Sequence, residues 1–181
     1  LRKTKDVDYN QRDNFGIPIL EKILNSENSQ ALELVKDFEF DYSPELDYAF
    51  ENISDENCIL FLWVTFPCLL EGLEVMKQWG FKYKTCGFNW VKRNKKSNTY
   101  FFGLGYWTRA NSEICLIGTK GTIKRKSNKV FQIVDTPIEE HSKKPDVVRD
   151  RIVELVGDIP RIELFARQTA NNWDCWGNEI S

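Results

Sequence analysis

The chain has 181 residues, 41% apolar and 13% aromatic, which suits one globular domain with a sizeable core and excludes a disordered chain. A formal net charge of −2 gives no whole-chain attraction to nucleic acid or membrane, so any such role must rest on local patches. Five scattered cysteines without a CxxC pair, beside a lone histidine, argue against zinc and disulfide frameworks and fit a reducing cytoplasm or nucleus. Neither a signal peptide nor a membrane span is expected. Because the chain opens at Leu1 and its only methionine is Met76, it is expected to be part of a longer product.

Residues 1–14 are polar and read as a loose arm. "IPILEKILNSENSQALELVKDF" (17–38) places Ile19, Ile23, Leu32 and Val35 at helical spacing, and its "NSENS" suggests two short helices. Residues 1–42 are thus expected to form an N-terminal arm and helical segment, and 43–181 the main domain. "CILFLWVTF" (58–66) is a continuous run of β-formers, the pattern of a strand buried on both faces. "LLEGLEVMKQWG" (69–80) puts Leu69, Leu73, Met76 and Trp79 on one helical face and Gly80 at a C-cap.

"KYKTCGFNWVKR" (82–93), "SEICLIGTKG" (112–121) and "VFQIVD" (130–135) read as strands. "KPDVVRDRIVELVGD" (144–158) reads as a helix with Pro145 near its first position and Gly157 just past its end, and "RIELFA" (161–166) as a last buried strand. Interleaved strands and helices predict an open, mainly parallel α/β sheet with helices on both faces.

In such sheets ligands sit beyond the carboxyl ends of the strands, and "RIELFA" runs into the polar "RQTANN". No glycine-rich loop offers backbone amides to a pyrophosphate, so a dinucleotide or triphosphate is not expected. An adenosine ligand bearing a carboxylate needs polar groups for its ribose, a cation for its carboxylate and apolar walls for its base. Glu163, Arg167, Thr169, Asn178 and Glu179 supply the polar groups and Lys144 the cation, a set that suits S-adenosylmethionine. A core strand with a solvated turn and two structural tryptophans accounts for the same residues equally well.

Three blocks carry a resemblance. "CILFLWVTFPCLLEGLEVMKQWGFKYKTCGFNWVKRNKKSNTYFFGLGYWTRANSEICLIGTKG", "EEHSKKPD" and "IELFARQTANNWDCWGNE" are similar to the adenine-N6 methyltransferases of the MT-A type. That family is typified by the catalytic subunit of the mRNA N6-adenosine methyltransferase and has many bacterial and phage DNA-methylating members. The resemblance spans roughly residues 50–180. It implies a Rossmann-like sheet in permuted motif order, with the catalytic motif first and the cofactor strand last. It also implies S-adenosylmethionine as cofactor, with Lys144 at its methionine end. Glu163, Phe165 and Arg167 of "ELFAR" then line the pocket, and Thr169, Ala170, Asn178 and Glu179 lie near ribose and adenine.

The family grips its target amine with an Asp-Pro-Pro-Trp motif, whose acid and backbone carbonyl accept from the N–H groups while a ring stacks on the base. None of the six prolines here is adjacent to another, so catalytic residues cannot be named. The motif is expected near Tyr42–Ser43, within "FEFDYSPELDYAFENIS", where "KDFEFDY" resembles the strand leading into it. Either a loop is absent at that junction, which the retained cofactor motifs favour, or the motif is lost and the chain is a catalytically silent nucleic-acid-binding partner.

On the substrate side, Lys92, Arg93, Lys95, Lys96 and Arg109 interleave with Tyr106 and Trp107, a mixture suited to phosphates and splayed bases. Lys124, Arg125 and Lys126 form a second basic loop. A hairpin with solvated charges and aromatics in a core or dimer contact explains the same residues. The family resemblance implies a homo- or heterodimer and a nucleic-acid substrate, DNA rather than RNA for a bacterial or phage protein. His141 reads as structural or exposed, since amine methylation needs no strong base, and Cys175 as packing. No metal site and no membrane contact are expected.

Overall fold

The computed structural model describes residues 29–34, 50, 53–140, 142–177 and 180. Seven strands form one sheet: β1 (Ser29–Leu34), β2 (Ser54–Val64), β3 (Lys82–Arg93), β4 (Ser112–Lys120), β5 (Ile133–Pro137), β6 (Arg161–Leu164) and β7 (Asp174–Trp176). Their order across the sheet is β5-β3-β4-β2-β1-β6-β7. β1 runs parallel to both β2 and β6, β6 to β7, and β3 to β5, whereas β4 is antiparallel to both β2 and β3. The sheet is therefore mixed, where a mainly parallel one was expected: β4 returns from β3 and runs against both of its neighbours.

The run predicted from "CILFLWVTF" forms the spine. Leu60, Leu62 and Val64 of β2 join one core with Val75, Met76 and Trp79 of α1 (Leu69–Gln78) and its following turn. The alternate residues Ile59, Phe61 and Trp63 join a second core with Phe88, Trp90 and Val148, Ile152 and Val156 of α2 (Val147–Val156). The two-residue alternation of a strand thus feeds two cores, and the two described helices cover opposite faces. Each fully buried side chain of this kind contributes about 1.5–3 kcal/mol.

Glycine closes both helices. Gly80 takes φ +79° after Trp79, and its N–H donates to the Lys77 carbonyl at 3.0 Å. Gly157 takes φ +92°, its N–H bonding the Val153 carbonyl at 2.8 Å. These left-handed conformations carry little cost without a Cβ, as the sequence pattern anticipates.

Four expectations need correction. Ser29–Leu34, expected within a helix, is the interior strand β1 between β2 and β6. A parallel partner on each side engages the backbone of Ala31–Leu34, which outweighs a weak helical spacing. The remainder of 17–38 lies outside the described residues. Pro145 precedes the N-cap Asp146 and does not occupy the first helical turn. The strand expected at 130–135 is shifted to Ile133–Pro137, where it pairs with Asn89–Arg93. The strand expected at 161–166 as the last of the sheet ends at Leu164 and is followed by β7, which pairs with it through Glu163 and Cys175.

Candidate functional site

Because β4 is the one reversed strand, a single edge of the sheet carries the carboxyl ends of the other six strands and the start of β4. Strand order also reverses there. From β1 the chain proceeds to β2 on one side, and from β6 to β7 on the other, so the switch falls between β1 and β6. This is where open α/β sheets place ligands.

On the α2 face of that edge, Lys92 extends the Phe88–Trp90 stripe of β3, and Glu113 extends the Cys115 stripe of β4. The Glu113 carboxylate is shared by two ammonium groups. Lys144 Nζ lies 3.0 Å from Oε2, and Lys92 Nζ donates to Oε1. Lys144 is buried, its Nζ also donating to the Ser142 carbonyl at 3.3 Å and standing 5.9 Å from the Trp63 ring centroid. Lys92 Nζ stands 4.9 Å from the Trp90 ring. A cavity of about 290 Å3 opens here, walled by Trp90, Phe101 and Ile138 and floored by this lysine–glutamate–lysine group.

Glu163, buried on β6, faces α2. Arg149 holds it with two bonds, Nε to Oε2 at 2.6 Å and a terminal nitrogen to Oε1 at 3.0 Å. The other terminal nitrogen of Arg149 reaches Asp146 Oδ1 at 2.5 Å, which also accepts from Gln168 Nε2 at 2.9 Å. Lys143 Nζ sits 3.3 Å from the second Asp146 oxygen and also pairs with Glu139. Asp146 therefore joins the Lys144 segment, the start of α2 and the loop after β6. Burial pushes its carboxyl upward, but the bonds from Arg149 and Lys143 prevail and hold it below the ordinary aspartate value.

The loop after β6 is fixed by backbone contacts. Phe165 adopts φ +60° and meets Trp176 edge-on at 5.3 Å, and the Ala166 N–H donates to the Trp176 carbonyl at 2.8 Å. Gly177 permits this approach, since a Cβ there would lie 1.9 Å from the Ala166 carbonyl oxygen. Of the non-glycine positive-φ residues among those described, Ser142 and Phe165 lie on loops at the carboxyl edge, and Asn172 lies just before the start of β7. Such backbone outliers concentrate at functional sites.

Of the residues assigned to the cofactor, Lys144 lines the cavity with Glu113, whereas Glu163 lies outside its lining and is tied through Arg149 to Asp146, two residues beyond Lys144. Phe165, Arg167 and Ala170 are half-buried on the loop after β6, and Thr169 is exposed on it. Asn178, Glu179, His141 and the Tyr42–Ser43 junction lie outside the described residues. Cys175 packs: its Sγ lies 3.6 Å from the Trp173 carbonyl, and burial, with Glu163 nearby, raises its thiol pKa.

The two basic segments part company. Residues 94–111 leave the carboxyl edge between β3 and β4, exposing Lys95, Lys96, Tyr106, Trp107 and Arg109 there. Tyr106 and Trp107 meet edge-to-face at 5.5 Å while 94% and 92% exposed, and Arg109 lies over Phe102 at 4.3 Å. Arg93 is held at 2.6 and 2.7 Å by Asp135 and stacks 4.1 Å above Tyr100. Lys124, Arg125 and Lys126 follow the carboxyl end of β4, at the opposite edge, where the Lys126 N–H bonds the Leu155 carbonyl at 2.7 Å.

Sequence inspection missed Glu113 and Arg149. Glu113 directly precedes the apolar run Ile114–Ile117 of β4, and Arg149 stands at i, i+3 and i+7 with the buried Ile152 and Val156 of α2. A charge within an apolar stripe was the available signal.

The family model described as MT-A70 matches residues 44–179, and the chain belongs to this family. The Type II methyltransferase M.MunI of a Mycoplasma species is 35% identical over 131 residues, 71% of this chain and 53% of that protein. A putative N(6)-adenosine-methyltransferase MT-A70-like protein of Medicago truncatula is 31% identical over 126 residues, 68% of this chain and 20% of that protein. The N(6)-adenosine-methyltransferase catalytic subunit METTL3 of Homo sapiens is 29% identical over 132 residues, 71% of this chain and 23% of that protein. The chain thus spans about half the length of the bacterial relative and less of the eukaryotic ones.

Proposed function

We propose that the chain serves S-adenosylmethionine-dependent methylation of the N6 amine of adenine in nucleic acid, with DNA favoured. The observation that carries this is the carboxyl-edge site, where Lys92 and Lys144 share Glu113 between the end of β3 and the start of β4, inside the stretch matched by the MT-A70 family. The higher identity to the bacterial type II enzyme, 35% against 29% for the human subunit, supports DNA.

The donor set fits the cofactor. Two ammonium groups share one carboxylate at the cavity floor, and Lys144 among them could turn to the carboxylate of the ligand, while Lys143 pairs with Glu139 in the same lining. Glu163 gives two bonds' worth of acceptor capacity to Arg149 and keeps lone pairs for a ribose hydroxyl. In this reading Lys144 holds the carboxylate, Glu163 and Thr169 the ribose, and Phe165 the adenine, with Arg167, Ala170, Asn178 and Glu179 completing the lining. S-adenosylmethionine would supply a methyl group activated on a sulfonium.

The exocyclic amine is a poor nucleophile because its lone pair is delocalised into the ring, so positioning and electrostatics must supply most of the acceleration. Trp90, Phe101 and Ile138 give the cavity apolar walls, and the exposed rings of Tyr106 and Trp107, in the segment between β3 and β4, offer stacking platforms to bases. The target base must be single-stranded or flipped to enter. The sheet is taken as a Rossmann-like domain in permuted order, working in a homo- or heterodimer in cytoplasm or nucleus.

One observation favours a second reading, a catalytically silent nucleic-acid-binding subunit: no Asp-Pro-Pro-aromatic motif occurs in the 181 residues. Transfer of labelled methyl groups from S-adenosylmethionine to adenine-containing oligonucleotides tests the proposal. Label in N6-methyladenine supports the enzyme. Cofactor binding without transfer selects the silent subunit, and an absence of both overturns the proposal.

A further inference from the structure

We infer that Arg149 is a positioning residue for the methyl-donor pocket: it aims the Glu163 carboxylate and, through Asp146, locks together the two segments that flank that pocket. The inference rests on the proposed function and deepens it. One guanidinium spends its donors on two carboxylates, binding Glu163 at 2.6 and 3.0 Å and Asp146 at 2.5 Å. The Glu163 side chain is only 4% exposed and that of Arg149 13%, so this fork is a built element of the interior and not a surface ion pair.

The geometry serves a site more directly than it serves the fold. α2 already anchors itself through Val148, Ile152 and Val156, and does not need a charged group in that face to pack. Glu163 stands at the carboxyl end of β6, one pairing step from the strand's last residue, Leu164. Asp146 in turn accepts from Gln168 at 2.9 Å, within the loop after β6, and lies two residues beyond Lys144. A shift of the Arg149 fork would therefore move the Glu163 oxygens and loosen Gln168 against the lysine-bearing segment together. The fork also fixes which Glu163 lone pairs face outward, because those facing α2 are taken. Lysine cannot reproduce this, since a single ammonium lacks the planar pair of donors.

The test uses isothermal calorimetry of S-adenosylmethionine with the full chain, with melting temperature recorded for every variant. Arg149→Lys keeps the charge and should weaken binding about tenfold, the equivalent of one charge-assisted bond. Arg151→Lys is the control on the same helix. Arg151 bonds the Phe131 and Ile133 carbonyls at 2.9 and 2.7 Å, away from the site, and its variant should bind as the parent does. Should Arg149→Lys fail to fold, the pair Arg149→Met with Glu163→Gln removes both charges of the fork together.

If Arg149 acts through Glu163, the double variant loses less than the sum of the Arg149→Met and Glu163→Gln losses, the remainder being carried by Asp146, a non-additivity that a merely structural arginine would not produce. Parent-like binding by Arg149→Lys, or additive losses in the double variant, would overturn the inference and leave the proposed function standing. No binding by the parent chain would overturn both.

Discussion

Lys144 and Glu113 meet at 3.0 Å although the protein carries them on segments about 30 residues apart, and Lys92 meets the other oxygen of the same carboxylate. The side chains are 5%, 13% and 17% exposed for Lys144, Glu113 and Lys92, so their charges are poorly hydrated and depend on one another.

The consequences of breaking this group are asymmetric. Glu113→Gln leaves two buried ammonium groups facing each other and should cost about 3–5 kcal/mol, the range for an uncompensated buried charge. Lys144→Met leaves Glu113 paired with Lys92 and should cost about 1 kcal/mol or less, because an apolar side chain of similar volume replaces the ammonium. Chemical denaturation of both variants checks the contrast. Equal losses would show that Lys92 does not share the carboxylate.

Acid should weaken the contacts at Asp146. Its folded pKa is lowered: burial works against this, but the bonds from Arg149 and Lys143 outweigh it. An aspartate with a lowered folded value contributes stability above its unfolded pKa, about 3.9, and loses it as pH falls through the folded value. Asp146→Asn should therefore lower stability at neutral pH and flatten the acid limb of melting temperature against pH. An unchanged acid limb would contradict the network.

Gly72→Ala separates helix propensity from packing. Alanine in mid-helix is better than glycine by about 0.8–1.0 kcal/mol, so an unobstructed site would be stabilised. Here the added Cβ would lie 2.5 Å from Val64 Cγ1, on a stiff β-branched side chain. Overpacking costs about 1–3 kcal/mol, and the net change should be destabilising. Urea denaturation measures its sign.

The two edges of the sheet should respond differently to substitution. Trp107→Ala removes an exposed ring at the carboxyl edge and should weaken binding of single-stranded oligonucleotides by about 1–3 kcal/mol, the worth of one stacked base. Lys124→Ala with Arg125→Ala, at the opposite edge, should change it less than Trp107→Ala does. Fluorescence anisotropy at fixed salt compares them, and a larger loss from the basic pair would move the nucleic-acid path to that edge.

Much of this architecture was legible in the residues. "KYKTCGFNWVKR" becomes β3 from Lys82 to Arg93, and Gly80 and Gly157 end their helices in left-handed backbone as their placement implies. Such features are local, set by side-chain alternation and by the steric freedom of glycine. β1 was not legible, because its strand character comes from neighbours far along the chain and its own spacing suits a helix. The same holds at the site: Lys144 and Glu163 stand in recognisable motifs, whereas Glu113 and Arg149 gain their roles only when the sheet and α2 bring partners to them. Nor does sequence proximity show that Lys124, Arg125 and Lys126 sit at the edge opposite Lys95 and Trp107. That separation follows from the antiparallel turn of β4.

The central claim is that the carboxyl edge holds S-adenosylmethionine with Lys144 at its carboxylate. Isothermal calorimetry of the parent chain and Lys144→Met tests it most directly, with melting curves confirming that both are folded. The account predicts saturable one-to-one binding to the parent, weakened about tenfold or more in the variant, as expected for a lost hydrogen bond between charged groups. No binding by the folded parent, or equal affinity in the two proteins, would contradict it.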